Sequence, residues 1–510
     1  MTPYARLDAV LDSLPSANSG IGGAAAVLKD GELLAQRTWG WADQDRRIPF
    51  TPQSLFRICS ISKQFTVATV LGRYPDTSEL DSDIAHFMPY LNDPRLKTLH
   101  LAHNQSGLRD YWATAMLSGS PVEAPFGPTE AAQLIARTRG LHFAPGTRNS
   151  YCNHNFRLLG DLVSRRTGTD LATLMRRHVF DPAGMPRALL CPETATLPDG
   201  TIGYEGSLEG GWRPAVNHIH WTGDAGIAAS LEDMIAWEKH IDAQRDDPDA
   251  LITRMSAPVT FADGAPAFYG YGLARMTLHG RAAIGHGGGL RGWLSQRCYL
   301  PAERISIVAL HNHMNGPRPT AMALLAALLD DVPTPPDAAA DPSWAGFYLD
   351  PETGLSAKLE VTGKGKINLF YAGLHPDTLD PQPDGSASAD RVRLVRDGGS
   401  LVMHRAGENL RTTLVRLEGE GPPPRVGEYR NAEYESRLTV VNAGGLYCAA
   451  FSGPLGIGTM QPLLPAGPDM WRMPCPRALD HSPPGDWTLH FHDGGVRVGC
   501  WLARGIEFAG

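Results

Sequence analysis

The sequence predicts an α+β protein in three parts: a mixed helix-and-strand domain over 1–331, then two small antiparallel β-barrel domains over 343–419 and 425–510. Three observations predict it. Helical and strand periodicities follow one another up to about residue 330. Val332-Pro333-Thr334-Pro335-Pro336-Asp337-Ala338-Ala339-Ala340-Asp341-Pro342 is then a proline-rich linker, and beyond it come only short alternating strands with glycine and aspartate turns. The tail also repeats itself. Gly346-Phe347-Tyr348 with Glu352, Leu359 and Val361 corresponds to Gly427-Glu428-Tyr429 with Glu433, Leu438 and Val440. A period of about 80 residues reads as two copies of one barrel, divided at Gly421-Pro422-Pro423-Pro424.

The elements follow in order. Leu7, Val10, Leu11 and Leu14 share one side of an opening helix over 3–16. Ile21 to Val27 and Leu33 to Trp39 form a hairpin about Lys29-Asp30-Gly31-Glu32. A loop runs to Pro52, and a helix carrying Ser60 and Lys63 ends at Gly72 and Tyr74-Pro75. His103 to Tyr111 is a polar, glycine-bearing loop. Helices fill 128–138 and 156–166, and Phe143-Ala144-Pro145-Gly146-Thr147 is the turn leading into Tyr151-Cys152-Asn153. Ser230-Leu231-Glu232-Asp233 is a capping box for a helix through about Ile241. Strands are expected at 270–276, 293–300 and 304–311, with Gly285-His286-Gly287-Gly288-Gly289 as a turn between the first two, and a helix over 320–329 closes the domain.

Composition excludes several classes. Among 510 residues the net charge is -8 and no basic tract stands out, which argues against nucleic acid as a partner. Met1 to Gly20 has no continuous apolar run and includes Asp8 and Asp12, so no secretory signal is expected, and no stretch is apolar enough to span a bilayer. The seven cysteines are scattered with no C-x-x-C pair, so a reduced cytoplasmic compartment is the expectation. His218-x-His220, His311-x-His313 and His490-x-His492 could each set two imidazoles on one strand face, but no carboxylate accompanies them; neither metal nor cofactor is expected.

The chemistry concentrates at Ser60-x-x-Lys63. Residues three apart share a helix face. A serine hydroxyl needs a neighbouring base to act as a nucleophile, and a lysine against apolar walls loses its proton more readily because burial disfavours the ammonium. Ser62 faces a different side of the helix, and Cys59 reads as core packing.

With Tyr151-x-Asn153 and His286-x-Gly288 further along, the first 330 residues resemble the serine β-lactamase and penicillin-binding-protein superfamily, in its class-C-like branch. The flanks agree: Pro49-Phe50-Thr51-Pro52, His103-x-x-Ser106-Gly107-Leu108, Phe143-x-Pro145-Gly146-Thr147, and Gly226-Ile227 with Asp233 and Trp237. The resemblance implies an antiparallel sheet with helices on both faces and a helical subdomain. It also implies acyl transfer through Ser60. Lys63 and Tyr151 would handle protons between them, in an order the sequence leaves open. Asn153 would bond Lys63 or the substrate amide, and His286 would bond Tyr151 or orient the substrate. The backbone N–H groups of Ser60 and Gly289 would form the oxyanion hole, with Gly287 and Gly288 admitting the substrate backbone.

The tail narrows the substrate. A β-lactamase-like domain with two barrels resembles the bacterial D-aminopeptidases, which implies release of N-terminal D-residues, D-alanine foremost, from peptides, amides and esters. The partner implied is a small peptide or amino-acid amide with a free N-terminal amine, with no membrane and with a homodimer as the allowed assembly. A loop of the last domain would reach the cleft, and Arg477 to Asp486 is the candidate. An ammonium calls for a carboxylate: Asp480 first, Asp486 second. The alternatives are a cytoplasmic esterase or amidase without D-preference, and a non-catalytic penicillin-binding-like sensor.

Overall fold

The computed structural model describes residues 2–18, 20–121, 124–330, 339–373, 375–419, 421–475 and 485–510. Alternation in one strand sets the layers of the first domain. In Gly22–Lys29, Ala24, Ala26 and Leu28 enter one core while Ala25 and Val27 enter another on the opposite face. The strand sits inside an eight-stranded antiparallel sheet whose order is Tyr269–Gly270, Leu273–Leu278, Arg281–Leu290, Trp293–Leu300, Ile305–His311, Gly22–Lys29, Glu32–Asp43, Ile48–Pro49. Helix Pro3–Ala17 buries Leu7, Leu11 and Leu14 against one face beside helix Arg318–Leu328. The other face meets helix Leu231–Gln244 and, beyond it, helix Ser62–Arg73, whose residues 62–71 are all buried. The expected capping box forms: Ser230 N–H donates to Asp233 Oδ2 at 2.8 Å, and Asp233 N–H to Ser230 Oγ at 3.1 Å. Among the described residues no helix is long and apolar enough to cross a membrane.

The glycine run expected as a turn is instead strand. Gly285 to Gly289 lies inside Arg281–Leu290, with His286 opposite Arg297 and Gly288 opposite Ser295. Glycine signals a turn locally, but here it answers a packing demand. A Cβ on Gly288 would sit 2.5 Å from Ile58 O and 2.9 Å from Cys59 Cβ. The chain reverses at Arg291-Gly292, where Gly292 has φ 84°.

The tail holds one closed barrel, not two. Eight strands from Gly346–Asp350 to Leu410–Leu417 close on themselves through Phe347↔Leu417, Tyr348↔Arg416 and Leu349↔Val415. The last domain is an open, curled ten-stranded sheet. Its opening lies where prolines remove backbone donors. Gln461–Pro462 pairs with Leu446–Gly453, and the next strand, Leu464–Gly467, which contains Pro465, pairs only with Met470–Met473. Pairing passes from one neighbour to the other at Leu463, so no continuous ladder closes the sheet. The repeat is nonetheless visible atom by atom. Tyr348 and Tyr429 each donate to the carbonyl four residues back, of Trp344 and Arg425. Asp350 and Asn431 each accept from an N–H three residues on.

A buried ion pair ties the eight-stranded sheet to its inner helix. Arg297 Nε and Nη2 reach Glu238 Oε1 and Oε2 at 2.6 and 2.8 Å, and Ser306 Oγ donates to the same carboxylate. Arg297→Met strands the Glu238 charge and is expected to lower stability by about 3–5 kcal/mol. The urea midpoint measures this, and the double variant Arg297→Met/Glu238→Leu should recover most of the loss.

Candidate active site

Ser60 lies in a one-turn 3₁₀ segment, Cys59–Ile61, that runs directly into helix Ser62–Arg73. Cys59 takes φ 52°, a left-handed conformation uncommon outside glycine. That backbone turn accompanies the emergence of the Ser60 hydroxyl into a cleft while its neighbours stay in the core. The Cys59 thiol, 3.2 Å from Arg57 O, is pushed up to about 12 by burial.

Lys63 is fully buried one turn below Ser60. Its Nζ reaches Ser60 Oγ at 3.0 Å, Asn153 Oδ1 at 2.9 Å and the Asp224 carbonyl at 2.8 Å. As an ammonium it would donate to all three. As a neutral amine it donates to the two that can only accept, Asn153 Oδ1 and Asp224 O, and turns its lone pair to the Ser60 hydroxyl. Burial lowers its pKa to about 8, against the opposing pull of the Asp224 and Asp110 carboxylates.

Asp110 and Asp224 back this nitrogen, and sequence reasoning gave neither a role. Asp110 caps helix Tyr111–Leu117 through Trp112 N–H at 2.8 Å and accepts the Asn153 N–H at 2.5 Å, which sets the start of helix Asn153–Thr167. Burial raises its carboxyl to about 6. Asp224 accepts from the Tyr111 hydroxyl, and from Thr222 N–H at 2.9 Å. An aspartate just ahead of Tyr111-Trp112 is an N-cap signal that could have located Asp110; nothing local marks Asp224.

Tyr151 donates to Ser60 Oγ at 2.7 Å, and its ring centre is 4.9 Å from Lys63 Nζ. Asn104 fixes its backbone on both sides, taking Ser150 N–H on its carbonyl and Cys152 N–H on its side-chain oxygen. Burial holds the phenol well above its usual range. The ring packs against the core of the C-terminal sheet. That domain also grips the adjoining helix, since Asp110 N–H donates to Leu502 O at 3.0 Å. The middle barrel reaches the same loop: Asn149 N–H donates to Glu408 O, and Asn409 Nδ2 to Thr147 O.

His286 lines the cleft but does not bond Tyr151. Its Nδ1 lies on Gly287 O, which fixes the proton there, so Nε2 accepts from the Tyr269 hydroxyl at 3.0 Å. Burial, followed by the nearby Lys63 charge, lowers its pKa to about 3, so the ring is neutral at ordinary pH. Tyr269, in the short edge strand Tyr269–Gly270, is the other residue sequence reasoning missed.

The strand Arg281–Leu290 pairs with Leu273–Leu278 only as far as Gly285. Gly287 to Gly289 are therefore free of that ladder on the cleft side. They line, with Ser60, Tyr151, His286 and Arg318, a cleft of about 390 Å³. A second cavity of similar size lies between Arg57, Asn217 and Arg291, away from the Ser60 hydroxyl. Asp480 lies outside the described residues. Asp486 is already engaged: Arg472 Nη1 contacts its Oδ2 at 3.2 Å, and burial raises its carboxyl. Ser62 Oγ accepts Ile227 N–H at 3.1 Å, inside the core. Among the described residues no group of three or more His, Cys, Asp or Glu is arranged to hold a metal.

The fold and the first domain belong to the serine β-lactamase class: residues 7–331 match the family model described as Beta-lactamase. Residues 337–509 match the one described as D-aminopeptidase, domain B. Over 99% of its length the chain is 49% identical to a D-aminopeptidase of Gluconobacter oxydans (strain 621H), covering 98% of it. It is 44% identical to a D-aminopeptidase of Brucella ovis, with 98% of each chain covered. Among solved structures, the octameric penicillin-binding protein homologue from Pyrococcus abyssi superposes with TM-score 0.56 at 20% identity, over 80% of this chain and 99% of that one, a likeness of fold. The chain belongs to the D-aminopeptidase family.

The close approach at Gly288 gives a direct test. Gly288→Ala brings a methyl group against Ile58 O and Cys59 Cβ and must shift the strand from the Ser60 turn. We expect acyl-transfer activity to fall about a hundredfold or more while the circular dichroism spectrum is kept.

Proposed function

We propose that this chain is a serine hydrolase releasing N-terminal D-amino acids, D-alanine foremost, from short peptides, amides and esters through an acyl-enzyme on Ser60. The observation that carries the reading is the pair of contacts on Ser60 Oγ, 2.7 Å from Tyr151 Oη and 3.0 Å from Lys63 Nζ. Similarity to D-aminopeptidases over nearly the whole chain supplies the substrate class.

The two proton-bearing groups differ in their environments, which supports an order for the steps. Tyr151 is held protonated by burial, whereas Lys63 has a pKa of about 8 and a lone pair toward the serine. Neutral Lys63 takes the Ser60 proton as Oγ attacks the carbonyl. The tetrahedral oxyanion is held by the N–H groups of Ser60 and Gly289, each worth ~10²–10³ in rate. Tyr151 passes a proton to the departing amine and is resupplied from the Lys63 ammonium. Water then enters, gives a proton back along the same groups and releases the D-amino acid. Asn153 holds the Lys63 side chain. Neutral His286, braced by Tyr269, orients the strand Gly287-Gly288 along which the substrate lies.

The substrate ammonium needs an anion, and among the described residues no carboxylate lines the cleft. With Asp486 paired to Arg472, Asp480 is the residue we assign to it. Seven scattered cysteines without a C-x-x-C pair suit a reducing cytoplasm, and a homodimer is the assembly to check by sedimentation.

Hydrolysis of D- and L-alanine p-nitroanilide, N-acetyl-D-alanine p-nitroanilide and a p-nitrophenyl ester tests the reading, with Ser60→Ala as control. Turnover confined to free-amine D-substrates and esters, and abolished in the control, is expected; turnover of esters alone would move the assignment to an esterase. Asp480→Ala should raise KM for D-alanine amide and spare simple acyl esters, and equal losses on both would remove its ammonium role. Protonated Lys63 has no lone pair, so kcat/KM should climb with pH to a plateau above about 8. Asp224→Asn removes an anion that raises the Lys63 pKa, and should move that limb to lower pH. A profile falling through the same range would give the base role to another group.

A further inference from the structure

The proposed reading accounts for one half of the substrate, the D-residue and its ammonium. The wall of the cleft carries a charge that this half cannot use. Arg318 lines the same cavity as Ser60, from the start of helix Arg318–Leu328, and its side chain is exposed. Among the described residues no ion pair or side-chain hydrogen bond engages its guanidinium, and no acidic residue lines the cleft beside it. Its surroundings include a second cation, Arg391 of the middle barrel, which is paired to Asp390; burial, against the pull of Asp390 and with the help of the Arg318 charge, lowers the Arg391 pKa. Arg391 is itself stacked over Phe268, next to Tyr269.

The other charged or titratable groups of the cavity are accounted for. Lys63 is buried behind Ser60 with three partners, and His286 is neutral with both nitrogens engaged. Arg318 is thus the full positive charge that the described cleft presents to a ligand. It would repel the ammonium of the D-residue. It suits an anion on the other side of the scissile bond. The Tyr151 wall is backed by the C-terminal sheet, which carries the proposed ammonium partner, whereas Arg318 begins a helix packed on the central sheet beside Pro3–Ala17. The Tyr151 wall and the Arg318 wall of the cleft are therefore backed by different parts of the chain. A cavity of about 390 Å³ is at the small end for ligand sites, matching a few residues and no more.

We infer that Arg318 binds the free C-terminal carboxylate of a short peptide's leaving group, making short D-aminoacyl peptides, rather than amides, the preferred substrates. This rests on the aminopeptidase reading and deepens it. The guanidinium forms a charge-assisted contact already present in the bound substrate, so the effect falls on KM more than on kcat.

The test uses the full chain and three substrates: D-Ala-Gly, D-Ala-Gly amide and D-alanine p-nitroanilide. The wild type should favour D-Ala-Gly over its amide by about tenfold in kcat/KM, mostly through KM, and added salt should shrink the difference. Arg318→Gln should bring the acid-to-amide ratio to about one, and Arg318→Lys should restore part of it. A wild-type ratio near one, or an unchanged ratio in Arg318→Gln, overturns the inference while leaving the aminopeptidase reading intact. Failure of the wild type on all three substrates overturns that reading, and the inference with it.

Discussion

The structure depends on keeping one amine nitrogen, Lys63 Nζ, buried with three oxygen partners. A buried ammonium without such partners would be strongly disfavoured. The partners come from separate parts of the chain: Ser60 from the same turn, Asn153 from the start of a later helix, and the Asp224 carbonyl from the segment before the strand Ile227–Ser230. Asp110 then holds the Asn153 amide, and Tyr111 holds the Asp224 carboxylate. Because each partner also anchors a secondary element, the polar centre and the packing of the helices around it are one constraint. The same centre leaves the lysine depressed to about 8, within reach of either protonation state near neutral pH.

A second constraint acts on the other side of Ser60. The strand carrying His286 must lie against the Cys59–Ile61 turn, and Ser295 Oγ donates to Ile58 O at 2.8 Å to hold the two together. Backbone approaches of this kind exclude side chains, which is why Gly288 has no room for a Cβ. The ladder to Leu273–Leu278 ends where the cleft begins, so a strand edge is available beside the hydroxyl. Unpaired edges are usually covered; here the edge borders the cavity that the substrate is proposed to fill.

The appended β-domains belong to the walls of this cavity. The C-terminal sheet backs the Tyr151 ring and bonds Asp110, and the barrel bonds the loop over 147–149. Arg109 bridges to Glu433 and to the Arg504 carbonyl, linking the loop after Asn104 to the same sheet. Positions that in isolation would be a flexible approach to Tyr151 are thereby fixed by residues hundreds of positions away.

Local pattern was enough for much of this. Helical spacing set Ser60 above Lys63, leucines at 7, 11 and 14 marked the opening helix, Ser230 and Asp233 announced a cap, and the linker and the repeated Gly-x-Tyr starts announced the tail. Each of these rests on contacts within a few residues, which a sequence states directly. Three things were decided only by tertiary contacts. The run Gly285 to Gly289 became strand because Leu294 to Cys298 pairs with it and the Ser60 turn presses on it. The last domain stayed open because successive strands around Leu463 found different neighbours. Asp224, Asp110 and Tyr269 gained their importance from groups 17 to 161 positions distant: Tyr269 from His286 two strands over, Asp110 from Asn153, and Asp224 from Lys63. Charge and hydrogen bonding act through space, and a sequence records separation only along the chain.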